Sequence, residues 1–216
     1  KFSAIAKIYG YPFFSKKGKN FYKTAKNFTE SKLKKKIDST SKIYWDNIDI
    51  EKTKKKYNIN NNTKNIICGI SASGPTKRWS VDNYIKLFKK VNSEFPCKFF
   101  LAGGKNDLAL IKKVMNSVNN CFSLSELNIE QIIPIIASCP NYIGNDTGFG
   151  HLAANLNSKC IMIFTDSPAR SYGRWSNNIE IIVPIGETID SIGHNSRGKD
   201  KISFEEVLTK TLNSIK

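Results

Sequence analysis

Tyr142-Ile143-Gly144-Asn145-Asp146-Thr147-Gly148-Phe149-Gly150-His151-Leu152-Ala153-Ala154 is the stretch on which the fold turns. Asn141 to Gly144 is short and mostly apolar, as an interior parallel strand is. Asn145, Asp146, Thr147 and Gly148 are turn and cap residues. His151, Leu152, Ala154, Asn155 and Leu156 then follow a helical spacing. Such a junction aims unpaired backbone N–H groups, and the positive end of a helix dipole, at one spot that suits a phosphate. Gly148 lets the backbone approach a ligand closely, and His151, one turn in, adds a side-chain donor. The same residues also suit a plain αβ junction in which Asp146 caps the helix and His151 is solvated. From this stretch alone both readings stand.

Outward from that turn the chain alternates strand and helix from residue 65 onward. The predicted strands are 66–70, 98–102, 121–124, 141–144, 159–164 and 179–183. Ser80 caps a helix with Val81, Tyr84, Ile85, Phe88, Val91 and Phe95 on one stripe, and Pro96 stops it. Leu108, Ile111, Val114, Met115 and Val118 mark the next helix. Asn128 and Gln131 have capping-box spacing before a third. Pro134 inside that pattern costs about 3 kcal/mol, which predicts a kink or a late start. Residues 184–200 read as irregular and 203–215 as a closing helix. A βα series of this kind predicts an α/β fold: a Rossmann-like parallel sheet with helices on both faces. Ligands then sit at the carboxyl ends of the strands. The polar loops 71–79, 103–107, 145–148 and 165–175 all fall at that edge.

The first part of the chain differs. Residues 1–19 carry aromatics that need a packing partner, followed by Lys16, Lys17 and Lys19. Residues 20–37 suit an amphipathic helix, 43–45 a short strand or packed turn, and 51–57 a lysine-rich helix. The expected organisation is 1–57 as the end of an amino-terminal domain, the asparagine-rich 58–64 as a linker, and 65–216 as the Rossmann-like domain. Charge follows this division. Residues 1–64 hold 17 Lys/Arg against 5 Asp/Glu, a net +12, and residues 65–216 hold 17 against 13, a net +4. A basic face of that kind meets a phosphorylated substrate, an anionic lipid surface or nucleic acid, or is simply solvated. No run of about 18 apolar residues predicts a transmembrane helix. The five cysteines are too far apart for a CxxC motif and read as buried and reduced, which suits a cytoplasmic protein. With only His151 and His194, no zinc site is expected.

Three motifs appear in order: Ser71-Ala72-Ser73-Gly74-Pro75-Thr76-Lys77-Arg78-Trp79, Leu101-Ala102-Gly103-Gly104-Lys105-Asn106-Asp107, and Gly144-Asn145-Asp146-Thr147-Gly148-Phe149-Gly150-His151-Leu152-Ala153-Ala154. Together they resemble glycosyltransferase family 9, the ADP-heptose:lipopolysaccharide heptosyltransferases. The third run is the most specific. The resemblance covers about residues 65–185 well and 1–64 loosely. It implies the donor-binding half of a GT-B fold, preceded by the last part of the acceptor-binding domain. The catalytic acidic base of the family belongs to that first domain and has no counterpart here.

The resemblance also implies roles. Lys77 would lie against the donor diphosphate and stabilise the leaving group. Ser71 and Ser73 would bond phosphate oxygens. Asp107, where the family usually has Glu, would accept from ribose hydroxyls. Thr147 and Gly148 would donate to the diphosphate and His151 would support the same anion. Asp146 would hold the transferred sugar's hydroxyls or brace the turn, because like charges repel. Arg170 and Arg174 are further phosphate candidates. No Asp-x-Asp pair is present, so no metal and no cofactor is expected. The implied partners are a nucleotide-sugar donor and a lipid-linked saccharide acceptor, with peripheral contact to an anionic membrane through Lys16, Lys17 and Lys19 at the inner face of the inner membrane. Two other readings remain at this point. One is a GT-B protein using another nucleotide sugar, as a transferase or an epimerase-like relative. The other is a non-catalytic basic polyanion binder, which nothing resembling a nucleic-acid motif supports.

Overall fold

The computed structural model describes residues 21–216 apart from Ser39 and Lys42. The aromatic segment 1–19, with Lys16, Lys17 and Lys19, lies outside the described residues. Six strands form one parallel sheet: β1 (Lys64–Gly69), β2 (Cys97–Ala102), β3 (Cys121–Ser123), β4 (Asn141–Asn145), β5 (Lys159–Ile163) and β6 (Ile179–Ile182). Their order is β3-β2-β1-β4-β5-β6, the doubly wound order of nucleotide-binding sheets. The helices are α1 (Phe21–Leu33), α2 (Asn47–Tyr57), α3 (Val81–Glu94), α4 (Leu108–Met115), α5 (Ile129–Ala137), α6 (Gly148–Asn155), α7 (Ala169–Tyr172) and α8 (Phe204–Ile215).

Strand side chains alternate between two cores because the pleat has a period of two. Ile66, Cys68, Phe99, Leu101, Ile143, Ile161 and Ile163 face one core with α3, α4 and α8. Ile67, Phe100, Ala102, Tyr142, Cys160 and Met162 face the other, with α5 and α6. Both faces are covered, which is why these strands read as continuous apolar runs. The caps act where the sequence places them. Ser80 Oγ accepts the Asn83 N–H at 3.2 Å. Asn128 and Gln131 close their reciprocal box at 2.9 and 3.0 Å.

Three expectations need correction. Helix α5 begins at its capping box and runs through Pro134, so it does not start late. Of the two readings of residues 43–45 the strand does not form: Tyr44 is 86% exposed, no strand among the described residues pairs with this stretch, and Ile43 packs against the core. Four of the five free cysteines are buried, but Cys121 is only partly so. Burial pushes the thiols up, Cys97 to about 11 and Cys121 and Cys160 to about 12, so they are protonated and weakly nucleophilic at neutral pH. Of the stretch 58–64, Lys64 already belongs to β1, and the turn before it is held by Asn65 Nδ2, which donates to the carbonyls of Asn60 and Thr63. Before it, Tyr57 packs edge-on against Phe100 and Phe122, at 5.8 and 6.0 Å between ring centroids. Helix α2 therefore packs on α5 and reaches the sheet through its last residue.

The chain reverses its winding between β1 and β4. There Gly69 and Gly144 are register partners. A Cβ on Gly144 would lie 2.5–2.6 Å from the backbone of Gly69, and a Cβ on Gly69 would run into the Tyr142 ring, so neither position has room for a side chain. The loops that leave these two strand ends open a crevice above the pair.

Candidate functional site

A cavity of about 790 Å³ occupies that crevice. The loop after β1 contributes Ser71, Ala72, Ser73 and Lys77, and the loop after β2 contributes Asp107. Asp146, Thr147, Gly148, Phe149, His151 and Leu152 come from the β4–α6 junction, and Ile129 and Tyr172 complete the wall. All eight residues anticipated for donor binding therefore line one cavity. The apolar members Ala72, Ile129, Phe149, Leu152 and Tyr172 carried no signal in the sequence, because nothing in their spacing separates a cavity wall from a core.

One buried residue ties the loops together. Asn145 is the last residue of β4 and is fully buried, so it is not a turn residue. Its Nδ2 donates to the carbonyls of Ile70 and Ser71 at 3.3 and 3.1 Å, and its Oδ1 accepts the Trp79 N–H at 2.9 Å. Trp79 is itself fully buried, edge-on to Tyr84 at 4.9 Å and stacked on Phe204 at 6.1 Å. Lys77, two residues earlier at the end of a short 3-10 turn, is thus carried on an anchored loop. Thr165 Oγ1 adds a further tie, donating to the Thr76 carbonyl at 2.9 Å.

The start of α6 opens on the cavity with free backbone donors. Thr147 is the N-cap, but neither its side chain nor Asp146 caps the helix. The first intrahelical bond runs from the Gly150 N–H to the Thr147 carbonyl at 3.1 Å, which leaves the Gly148 and Phe149 N–H groups ahead of it. A Cβ on Gly148 would meet nothing within 4 Å, so the backbone here is open to a ligand. Tyr142 Oη is 2.9 Å from the Asn145 carbonyl and 3.2 Å from Thr147 Oγ1. A carbonyl only accepts, so Tyr142 donates to it and Thr147 donates to Tyr142. The Thr147 hydroxyl proton is directed inward, and the backbone N–H groups are the donors this turn offers the cavity.

Two carboxylates flank that centre. Asp107 accepts the Gly104 N–H at 3.0 Å and pairs with Arg78 at 3.4 Å. Arg78 was not anticipated, because 29 residues of sequence separate the pair. Asp146 Oδ1 lies 3.2 Å from His151 Nε2, and its Oδ2 accepts the Ser167 hydroxyl at 2.7 Å. His151 Nδ1 accepts the Trp175 indole N–H at 3.1 Å. Both ring nitrogens of His151 are therefore engaged within the protein, so the side-chain donor expected of it is directed at Asp146. Arg170 pairs with Asp190 at 3.1 Å, and neither it nor Arg174 lines the cavity.

Asp166 braces the same rim, accepting the Arg197 N–H at 3.1 Å. Its burial works to raise the carboxyl. Hydrogen bonds from Thr76, Arg197 and Asn195, with the nearby Lys77 charge, outweigh this and hold it below the ordinary carboxylate range. With the folded value below the unfolded one, the carboxylate stabilises the fold above the unfolded value of about 4, and that stability is lost as pH falls through the folded value. Asp166→Asn is expected to lower Tm at pH 7, with the gap from wild type narrowing below about pH 4. Melting curves across pH check this; a gap unchanged at about pH 3 contradicts it.

Sheet order and the crevice at the strand ends define an α/β domain of the Rossmann-like class. Residues 23–197 match the model of glycosyltransferase family 9 (heptosyltransferase), and the chain belongs to that family. It is 29% identical over 157 residues to lipopolysaccharide heptosyltransferase 1 of Campylobacter coli, covering 70% of this chain and 46% of that protein. Among solved structures it resembles the glycosyltransferase family 9 protein of Veillonella parvula, with a TM-score of 0.75 and 17% identity over 92% of this chain and 61% of that one. It also resembles the ADP-heptose LPS heptosyltransferase II of E. coli, with a TM-score of 0.67 and 21% identity over 81% of this chain and 53% of that one. The fold is thus the Rossmann-like carboxy-terminal half of a GT-B glycosyltransferase. The chain spans about half the length of the relatives it matches.

Proposed function

We propose that this chain is the donor-binding half of an enzyme that transfers a heptose, with inversion, from ADP-heptose to a hydroxyl of a lipopolysaccharide core. The observation that carries the reading is a single cavity with a carboxylate on either side of an anion-ready centre. A nucleotide sugar has the matching order of groups: ribose hydroxyls, diphosphate, sugar hydroxyls. Asp107 takes the ribose and Asp146 the transferred sugar. Lys77, the Gly148 and Phe149 N–H groups and the Ser71 and Ser73 hydroxyls hold the diphosphate. Lys77 stabilises the charge that grows on the leaving group. The family names of the relatives supply the heptose and the acceptor.

In this reading residues 1–57 close an amino-terminal acceptor domain, and that domain supplies the base that deprotonates the acceptor hydroxyl. The 216-residue chain alone binds donor and turns over little. The test is turnover by the intact two-domain enzyme with ADP-heptose, UDP-sugars and GDP-sugars on a heptose-free core. Transfer from ADP-heptose alone is the expected result; transfer only from another nucleotide sugar keeps the site and replaces the substrate.

The enzyme works at the cytoplasmic face of the inner membrane, where its lipid-linked acceptor lies. No helix among the described residues is long and apolar enough to cross a membrane. Lys16, Lys17 and Lys19 meet the acceptor's anionic groups or the lipid surface. Replacing all three by alanine is expected to raise the acceptor KM several-fold, with the donor KM unchanged; an unchanged acceptor KM removes this assignment.

A further inference from the structure

We infer that Trp175 is a positioning residue for the donor site: its indole N–H fixes the tautomer of His151, and through it the state of Asp146. The indole nitrogen lies 3.1 Å from His151 Nδ1. An indole N–H can only donate, so Nδ1 carries a lone pair and the ring proton sits on Nε2. That proton points at Asp146 Oδ1, 3.2 Å away. Ser167 Oγ donates to the other carboxylate oxygen at 2.7 Å. The donors run one way, from indole to imidazole to carboxylate. Trp175 and Ser167 do not line the cavity; His151 and Asp146 do.

The arrangement has a chemical consequence. The indole N–H occupies the Nδ1 lone pair and the Nε2 proton is spent on Asp146 Oδ1, so the ring is held in one orientation beside the carboxylate. Each carboxylate oxygen has two lone pairs. One on each is taken, by His151 and by Ser167, and the others remain for ligand hydroxyls. Without the indole donor, His151 can take either tautomer, and the Nε2 proton is no longer fixed on Asp146 Oδ1. Trp175 enters from the loop after α7, with its ring centroid 5.8 Å from the imidazole and tilted by 41°, so it also limits rotation of the ring.

The tautomer assignment is independent of what the cavity binds; only the affinity arm below rests on the proposed donor. The experiment is ¹⁵N NMR of the imidazole at neutral pH, with His194→Gln removing the other histidine, combined with calorimetric titration of ADP-heptose. The expected wild-type spectrum shows Nε2 protonated and Nδ1 bare. Trp175→Phe keeps a ring but loses the N–H, and is expected to give mixed tautomers and donor binding about tenfold weaker, the effect of one lost hydrogen bond. A wild-type Nδ1–H or doubly protonated ring, or a spectrum unchanged in Trp175→Phe, overturns the assignment. A changed spectrum with unchanged affinity overturns the positioning role. A tautomer that responds to Trp175→Phe in a protein that binds no ADP-heptose upholds the relay and sinks the donor reading instead.

Discussion

Asn145→Ala is expected to destabilise the domain by about 3–4 kcal/mol and to abolish donor binding. The side chain makes three hydrogen bonds in a fully buried position, to Ile70, Ser71 and Trp79. Alanine strands two carbonyls and one N–H, each costing about 1–3 kcal/mol unless water reaches it. It also frees the Lys77 loop from the β4–α6 turn, so the two halves of the site lose their register. Asn145→Asp is the sharper variant. Its shape is nearly the same and it still accepts from Trp79, but it sets carboxylate oxygens against two carbonyl oxygens. It is expected to cost at least as much as alanine. Urea denaturation at pH 7 with an unchanged m-value would show this. Both variants within about 0.5 kcal/mol of wild type would mean that Asn145 is not what joins the loops.

The second large effect is on rate. Lys77→Ala in the intact enzyme is expected to lower kcat about 10²- to 10³-fold, the range for removing one preorganised donor from a developing anion. Stability should hardly change, because Lys77 is only partly buried and its loop is anchored by Trp79 instead. Lys77→Arg is not expected to restore full activity, since a planar fork does not replace a compact ammonium. Turnover within about threefold of wild type in Lys77→Ala would take the leaving group away from this residue.

The framework was legible in the sequence because it rests on local chemistry. Apolar runs closed by Gly, Ser and Asn gave the strands, and Ser80 and the Asn128/Gln131 pair marked helix starts that the structure keeps. The loops at the strand ends followed from the winding alone. The site's residues could be named because they lie within short motifs; their connections could not. Asn145 read as a turn residue, since burial at a strand end has no local signature. Asp146 read as a plain cap, a turn brace or a holder of sugar hydroxyls; it does not cap the helix, and its carboxylate turns to His151 and Ser167. Arg78 and Trp175 meet their partners across 29 and 24 residues of chain, distances over which no periodicity speaks. Ile43-Tyr44-Trp45 left a strand and a packed turn open; no strand forms there, and Ile43 packs against the core.

The most direct test of the donor cavity is calorimetric titration of this chain with ADP-heptose, UDP-sugars and GDP-sugars, with Lys77→Ala and Asp107→Asn alongside. Saturable binding of ADP-heptose alone, weakened at least about tenfold in each variant, is the result expected if Lys77 holds diphosphate and Asp107 holds ribose. Equal binding of wild type and both variants, with all three proteins folded, would place the nucleotide somewhere other than the crevice between β1 and β4.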